Sequence, residues 1–308
     1  MQSFNAEFAK EEQQMYTDIP STPIPETRIS KLMEQYEVLL LDAYGVLVTH
    51  CGTIPGAVEL IRKFNEAKKP YYVITNDASR SPETSSQRYE RMGLSIQPER
   101  IITSGLLLKR YFEEKSLQGS KCVVLGTEDS AEYVRAAGGK VVNILDQPDP
   151  EAEILVVCDE HGYPLLETLD ATLTFLYHRL DGGNKVHLLL PNPDIIYPAG
   201  EVRYGFTAGA LAGMLEIALR FRYPQMANEL KFVPMGKPYG PIFEEAYRRS
   251  ETKDMVMVGD QLRTDIKGAI DFGIASALVA TGLTPMEDAV KNREIRPTYL
   301  LKNLELDQ

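Results

Sequence analysis

Along this chain, short unbroken apolar runs alternate with longer stretches in which apolar positions recur every three or four residues. The run Val38-Leu39-Leu40-Leu41 ends in Asp42, and Gly45 follows three residues later. Four apolar residues with no polar break predict a strand buried on both faces, as in the interior of a parallel sheet. Such a strand presents the residue after it at its C-terminal edge, where open α/β sheets place their chemistry. Pro55 and Gly56 open a helix that runs through Asn65, with Val58, Leu60, Ile61 and Phe64 on its buried face. Tyr71-Tyr72-Val73-Ile74 then reads as a second strand, ending in Thr75-Asn76-Asp77-Ala78-Ser79. Strand, helix, parallel strand is the right-handed crossover unit of doubly wound sheets.

Ser81-Pro82-Glu83 starts a helix that ends near Gly93, and 101–105 reads as a short strand and turn before a helix over 106–114. A separate βαβ series follows, with strands at 122–125, 154–157 and 186–190 and helices around 131–137 and over 165–177. This block has the elements to bury a core of its own. The last third returns to the first pattern: a helix over 241–249, a strand from 255 into Gly259-Asp260, a helix carrying Ile266, Ala269 and Ile270, and a strand over 275–279. The expected division is an N-terminal arm over 1–30, a core domain from 31–105 and 232–308, and an inserted domain over 106–231. The arm is polar, carries Pro20, Pro23 and Pro25, and has a helical tendency near 4–15. Ser30 is placed to cap a short helix over 31–35. The fold class expected is α/β, a doubly wound parallel sheet with an inserted α/β unit.

Composition narrows the function classes. A length of 308 residues suffices for two domains, or for one with an insertion. A net charge of −11 argues against a nucleic-acid surface, and Arg220-Phe221-Arg222 does not extend into a basic stripe. The three cysteines, Cys51, Cys122 and Cys158, suit a reducing compartment as buried small apolar groups and lack zinc spacing. No signal pattern opens the chain and no apolar run reaches membrane-spanning length, so the expected setting is cytoplasmic with no membrane partner. Oligomeric state stays open, a homo-oligomer included.

Asp42-Ala43-Tyr44-Gly45-Val46 resembles the first motif of the haloacid dehalogenase (HAD) superfamily of aspartate-nucleophile hydrolases. Thr75-Asn76 is similar to the second motif, whose hydroxyl and amide hold a phosphoryl oxygen. Lys237 in Gly236-Lys237-Pro238 is similar to the third, a cation beside the nucleophile. Gly259-Asp260 with Asp265 is similar to the fourth, the acidic metal-binding turn GDxxxxD. A strand-end Asp, a Gly-Lys-Pro turn or a Gly-Asp turn alone is more often structural; their order, each on a strand end or adjoining turn, makes the resemblance specific. It covers about residues 31–282. The insertion between the second and third motifs resembles the class 2 cap of the NagD-like group, as do Asn192-Pro193-Asp194 and Gly205-Phe206-Thr207-Ala208-Gly209-Ala210-Leu211. The resemblance implies a Rossmann-like core, a cap that covers the site and reads the substrate, and a small phosphorylated metabolite as that substrate. Thr75, Asn76, Asp77 and Lys237 are then expected substrate contacts, with Asn192 and Asp194 from the cap; an Asn-Pro-Asp turn is equally ordinary loop chemistry.

These residue types suit the chemistry. A carboxylate and a phosphate dianion repel, and a divalent cation held by Asp42, Asp260 and the main-chain carbonyl of Tyr44 would offset that repulsion. Mg²⁺ suits an oxygen-only site. Lys237 adds a point charge, Thr75 and Asn76 donate to phosphoryl oxygens, and Asp265 completes the metal site by orienting a water or Lys237. The expected reaction is phosphate-ester hydrolysis through an aspartyl-phosphate on Asp42. Tyr44 departs from the family pattern, which has a second Asp there as acid and base. A phenol of ordinary pKa about 10 is a poor base near neutrality, so turnover is expected to be slow. The Asp-x-Tyr spelling is also that of the metal-free haloacid dehalogenases, which makes a 2-haloacid dehalogenase an alternative; Asp260 and Asp265 weigh against it. A catalytically silent fold that binds a phosphorylated ligand or a partner is the third reading. His50, His161, His178 and His187 are scattered without ligand spacing, and Arg80 reads as a solvated loop residue within reach of a substrate anion.

Overall fold

The run Val38–Leu41 is an inner strand of a seven-stranded parallel sheet in a computed structural model that describes residues 23–145, 149–200, 203–282 and 284–306. The helical tendency near 4–15 lies outside the described residues. The strand order is Glu26–Thr27, Tyr299–Leu301, Ala275–Val279, Met255–Gly259, Val38–Leu41, Tyr71–Thr75, Ile101–Thr103. From Val38–Leu41 the chain builds outward through Tyr71–Thr75 to Ile101–Thr103, then re-enters on the other side at Met255–Gly259. The order therefore reverses between Val38–Leu41 and Met255–Gly259, and the crevice beyond their carboxyl ends is where such sheets bind ligands.

Both faces of the sheet are covered, which is why its strands read as unbroken apolar runs. Leu39, Leu41, Val73, Val256 and Val258 face the helices Ile29–Gln35 and Ala57–Ala67, which contribute Ile29, Leu32, Leu60, Ile61 and Phe64. The alternate residues Val38, Leu40, Ile74, Met255 and Met257 point the other way, toward Leu108, Phe112, Ile242, Phe243 and Ala269. Val58, expected on the buried face of its helix, is instead 42% exposed. The buried set Ala57, Leu60, Ile61 and Phe64 follows the i, i+3, i+4, i+7 stripe, and Val58 lies one residue off it.

Between Ile101–Thr103 and Met255–Gly259 the chain builds a second parallel sheet of five strands, in the order Val233–Pro234, His187–Leu190, Ile154–Val157, Lys121–Leu125, Lys140–Val142. One face carries Val123, Leu125, Leu155, Val157 and Leu188 against the helices Leu165–Asp181 and Ala208–Arg222. The other face, with Cys122, Ile154, Val156 and Leu189, joins the apolar cluster that also covers the large sheet. This inserted α/β cap is thus packed on the core through a continuous interior. Two short hairpins, Val48–Thr49 with Gly52–Thr53 and Ile196–Pro198 with Tyr204–Phe206, stand apart from both sheets. Cys51 sits in the first hairpin's turn and is exposed, unlike Cys122 and Cys158. Among the described residues no helix is long and apolar enough to cross a membrane.

Candidate active site

Asp42 and Asp260 leave the carboxyl ends of the two strands at the switch point, held in register by Asp42 N donating to Val258 O at 2.9 Å. Gly45 takes φ +83°, and a Cβ there would come within 2.3 Å of Asp260 Oδ2; one on Gly282 would come within 2.1 Å. Only glycine lets the backbone close this tightly over the Asp260 carboxylate. A π-helical turn, Leu262–Ile266, follows and turns Asp265 back to the strand end. Asp265 Oδ2 accepts from the main-chain N–H groups of Asp260 and Gln261, each at 3.1 Å. Its Oδ1 accepts from Lys237 Nζ at 2.7 Å, and the same ammonium donates to Asp42 Oδ1 at 2.6 Å.

All four side chains are buried: Lys237 is 3% exposed, Asp42 6%, Asp260 1% and Asp265 0%. One oxygen of each carboxylate lies within 4.8 Å of the others. Three carboxylates (−3) and one ammonium (+1) leave a formal −2 in a place with little water. Burial pushes the Asp42 carboxyl well above its ordinary range; Lys237 opposes the shift, and Asp265 and Asp260 add to it. Burial works against the Lys237 charge too, but Asp265 and Asp42 outweigh it and hold the ammonium above the usual amine range. The donor set is all oxygen and carries an excess of negative charge equal to one divalent ion. It fits a hard cation such as Mg²⁺.

Lys237 is aimed by Asn76, which closes the strand Tyr71–Thr75. Asn76 Oδ1 accepts from Lys237 N at 2.6 Å, and its Nδ2 donates to Lys237 O and to Asp194 Oδ1, each at 2.9 Å. Both amide hydrogens are thus committed within the protein, and the side chain clamps the Lys237 turn instead of offering itself to a phosphoryl oxygen. Asp77 is likewise turned onto its own loop, accepting from Ser79 N at 2.8 Å, Ser79 Oγ at 2.7 Å and Arg80 Nη1 at 2.8 Å. Thr75 Oγ1 accepts from Asp77 N at 3.2 Å, which leaves its hydroxyl proton to donate. Asn192 closes the cap loop, donating to Thr207 Oγ1 and accepting from Asp194 N, both at 3.0 Å.

The loop after Asn76 is stapled by the cap. Thr127 and Ser130 cap the helix Glu128–Ala136 and donate to Ser79 O at 2.6 Å and Ala78 O at 2.8 Å. Tyr133 Oη donates to Arg80 O at 2.6 Å. The second-motif loop therefore has its position set by the inserted domain.

Core and cap line a cleft of about 400 Å³ whose floor includes Asp42, Thr75 and Lys237. Tyr44 lines it, but its phenol accepts from Arg88, whose guanidinium also stacks 5.1 Å from the ring centre. Asp159, Glu160 and His161 form part of the roof. Residue type and spacing do not single them out in the sequence, where His161 is one of four scattered histidines. The signal was present: they directly follow Cys158 and the apolar run Ile154–Val157, as Asp42 follows its own.

Residues 39–140 match the family described as haloacid dehalogenase-like hydrolase, and residues 234–306 match a HAD-hydrolase-like family. An acid sugar phosphatase of Staphylococcus aureus is 27% identical over 279 residues, spanning 88% of this chain and 96% of the relative. A crystal structure from Cytophaga hutchinsonii, described as a possible sugar phosphatase of the HAD superfamily, is 31% identical with a TM-score of 0.81, covering 93% of this chain and 100% of that one. The fold is shared with a glycerol phosphate phosphatase of Mycobacterium tuberculosis in complex with magnesium, at 23% identity and a TM-score of 0.73, over 89% of this chain and 76% of that one. With its switch-point carboxylates, its inserted cap and these matches, the chain belongs to the HAD superfamily, among the NagD-like phosphatases.

Proposed function

We propose that the protein is a Mg²⁺-dependent phosphohydrolase that cleaves a small phosphorylated metabolite, of the sugar or polyol phosphate class, through an aspartyl-phosphate on Asp42. One observation carries this reading: Lys237 bridges Asp42 and Asp265 at 2.6 and 2.7 Å, beside Asp260, on the floor of the cleft between core and cap. Asp42, Asp260 and the main-chain carbonyl of Tyr44 would hold Mg²⁺, which supplies charge neutralisation between carboxylate and phosphate. Asp42 attacks phosphorus from the strand end, its free oxygen directed by the Lys237 contact on the other. Lys237 meets the negative charge that the phosphoryl oxygens carry, and the Thr75 hydroxyl donates to one of them. Asp265 holds Lys237 and the Asp260 backbone in place rather than binding metal directly, because both its oxygens are taken. The activities of the relatives, sugar and glycerol phosphate hydrolysis, support a polyol substrate, and a cleft of about 400 Å³ has room for one. Residues 106–231 then serve as the domain that reads it.

A panel of phosphate esters and 2-haloacids, each assayed with Mg²⁺ and with chelator, tests the reading. Phosphate release that needs Mg²⁺ is the expected result. Halide release without metal would replace it with a dehalogenase, and no turnover with measurable phosphate-ester binding would make the protein a silent binder.

A further inference from the structure

The phosphohydrolase reading leaves one role unfilled, the proton transfer to the leaving group. Tyr44 occupies the place where a carboxylate would serve, and Arg88 binds its phenol. Asp77 is spent on Ser79 and Arg80. Asp194 is bonded to Asn76 and through it to the Lys237 turn, which places it beside the phosphoryl floor of the cleft.

The roof carries a different arrangement. His161 Nδ1 lies 3.2 Å from Asp159 Oδ1 and 3.1 Å from Glu160 Oε1. The two carboxylates are held down, with side chains 13% and 14% exposed, while the imidazole above them is 66% exposed. A ring whose Nδ1–H is tied to a fixed carboxylate presents Nε2 in one tautomer, and this is how an imidazole is set up as an acid and base. The triplet lines the same cleft as Tyr44 and Asp42. Burial opposes the Arg80 charge, but Asp77, Tyr44 and Asp159 all raise it, so Tyr44 and Asp159 lie within electrostatic reach of one guanidinium between core and cap. An ester whose phosphoryl group sat on the floor would have its leaving group within the cleft that these residues line.

We propose that His161, oriented by Asp159 and Glu160, is the general acid and base of this enzyme, replacing from the cap the carboxylate that the core lacks at Tyr44. The inference rests on the phosphohydrolase reading. In the first step an Asp42 oxygen forms a bond to phosphorus and the P–O bond to the leaving group breaks. The electron pair goes to the leaving oxygen, which takes the proton from His161 Nε2 and departs as an alcohol. In the second, neutral His161 takes a proton from water as the water oxygen bonds to phosphorus. The bond between phosphorus and Asp42 breaks, its pair returning to the carboxylate, and phosphate is released with His161 protonated again. Asp159 and Glu160 are positioning residues.

The test compares an alkyl sugar phosphate with 4-nitrophenyl phosphate, whose leaving group departs without a proton, at saturating Mg²⁺. His161→Gln is expected to lower kcat/KM on the alkyl ester by about 10²–10⁴-fold and on the aryl ester by less than about tenfold. Asp159→Asn should give a smaller loss with the same bias. Adding Tyr44→Asp to His161→Gln should restore much of the alkyl activity, whereas Tyr44→Asp alone should gain little. Because His161 is exposed, thermal melting should be unchanged, which separates these effects from misfolding. Equal losses on the two esters, an alkyl bias in Asp194→Asn instead of His161→Gln, or a Tyr44→Asp gain as large alone as in the double variant would each overturn the proposal. Failure of the underlying reading would appear earlier, as a wild-type protein that hydrolyses neither ester.

Discussion

Replacing Lys237 with Met removes the ammonium that bridges Asp42 and Asp265 in a cluster of three buried carboxylates while keeping the length of the side chain. The backbone at 237 remains clamped by Asn76 through bonds of 2.6 and 2.9 Å, so the loss is electrostatic and not a refolding of the turn. The formal charge changes from −2 to −3, and two short charge-assisted bonds vanish from groups no more than 8% exposed. Breaking a buried pair by deleting one partner costs about 3–5 kcal/mol. In metal-free buffer the variant should lose stability of that order, read by urea or thermal unfolding. The deficit has a pH signature. Lys237 lowers the Asp42 pKa, so its removal raises that pKa further above the unfolded value of 3.8. A carboxyl raised in the fold contributes stability below its unfolded pKa and loses it as pH rises through the folded one. The deficit should therefore be small near about pH 4 and widen toward neutrality. Mg²⁺ should narrow it, because a cation bound only by the folded state adds RT ln(1 + [L]/Kd). A loss below about 1 kcal/mol at neutral pH without metal, or a deficit that shrinks as pH rises, would refute the charge argument.

Asp42→Asn should abolish phosphate release while leaving unfolding cooperative, since an amide cannot form an acyl-phosphate; wild-type turnover in that variant would remove Asp42 from its role. Gly45→Ala forces a Cβ at φ +83° to within 2.3 Å of Asp260, so the carboxylate must shift. About 10²-fold lower turnover is expected from a displacement near 1 Å, and an unchanged rate would count against Asp260 as part of the site. Burial pushes the Asp194 carboxyl up to about 6, against the Asn76 donor that lowers it, so its stabilising effect is present below 3.8 and lost as pH passes 6. Asp194→Asn should accordingly gain in melting temperature relative to wild type between pH 4 and 7 on that linkage, and a constant difference would show that the group does not titrate there.

Much of the architecture is written locally. A short unbroken apolar run bounded by turn residues fits a strand covered on both faces, so Val38–Leu41, Tyr71–Thr75, Ile154–Val157 and Met255–Gly259 announce parallel sheets, and the 3.6-residue stripe of Ala57–Ala67 announces a helix laid on one. The short strands did not announce themselves. Glu26–Thr27 and the hairpin Ile196–Pro198 with Tyr204–Phe206 are too brief to show a period, and they exist because a neighbour supplies the other half of each hydrogen-bonded ladder. The same division runs through the site. Strand-end position marks Asp42 as a candidate from sequence alone, because a strand's last residue is local information, and the resemblance of their motifs adds Thr75 and Asp260. That Lys237 reaches Asp42 across 195 residues of chain, and that Asn76 is spent clamping it, follows only from how the turns pack. Asp159, Glu160 and His161 are the clearest case: the sequence makes them a loop after an apolar run, and only the packing of cap on core turns that loop into the roof over Asp42. Periodicity reports which face of an element is buried; it carries no information about which other element does the burying, and at this site that second fact decides the chemistry.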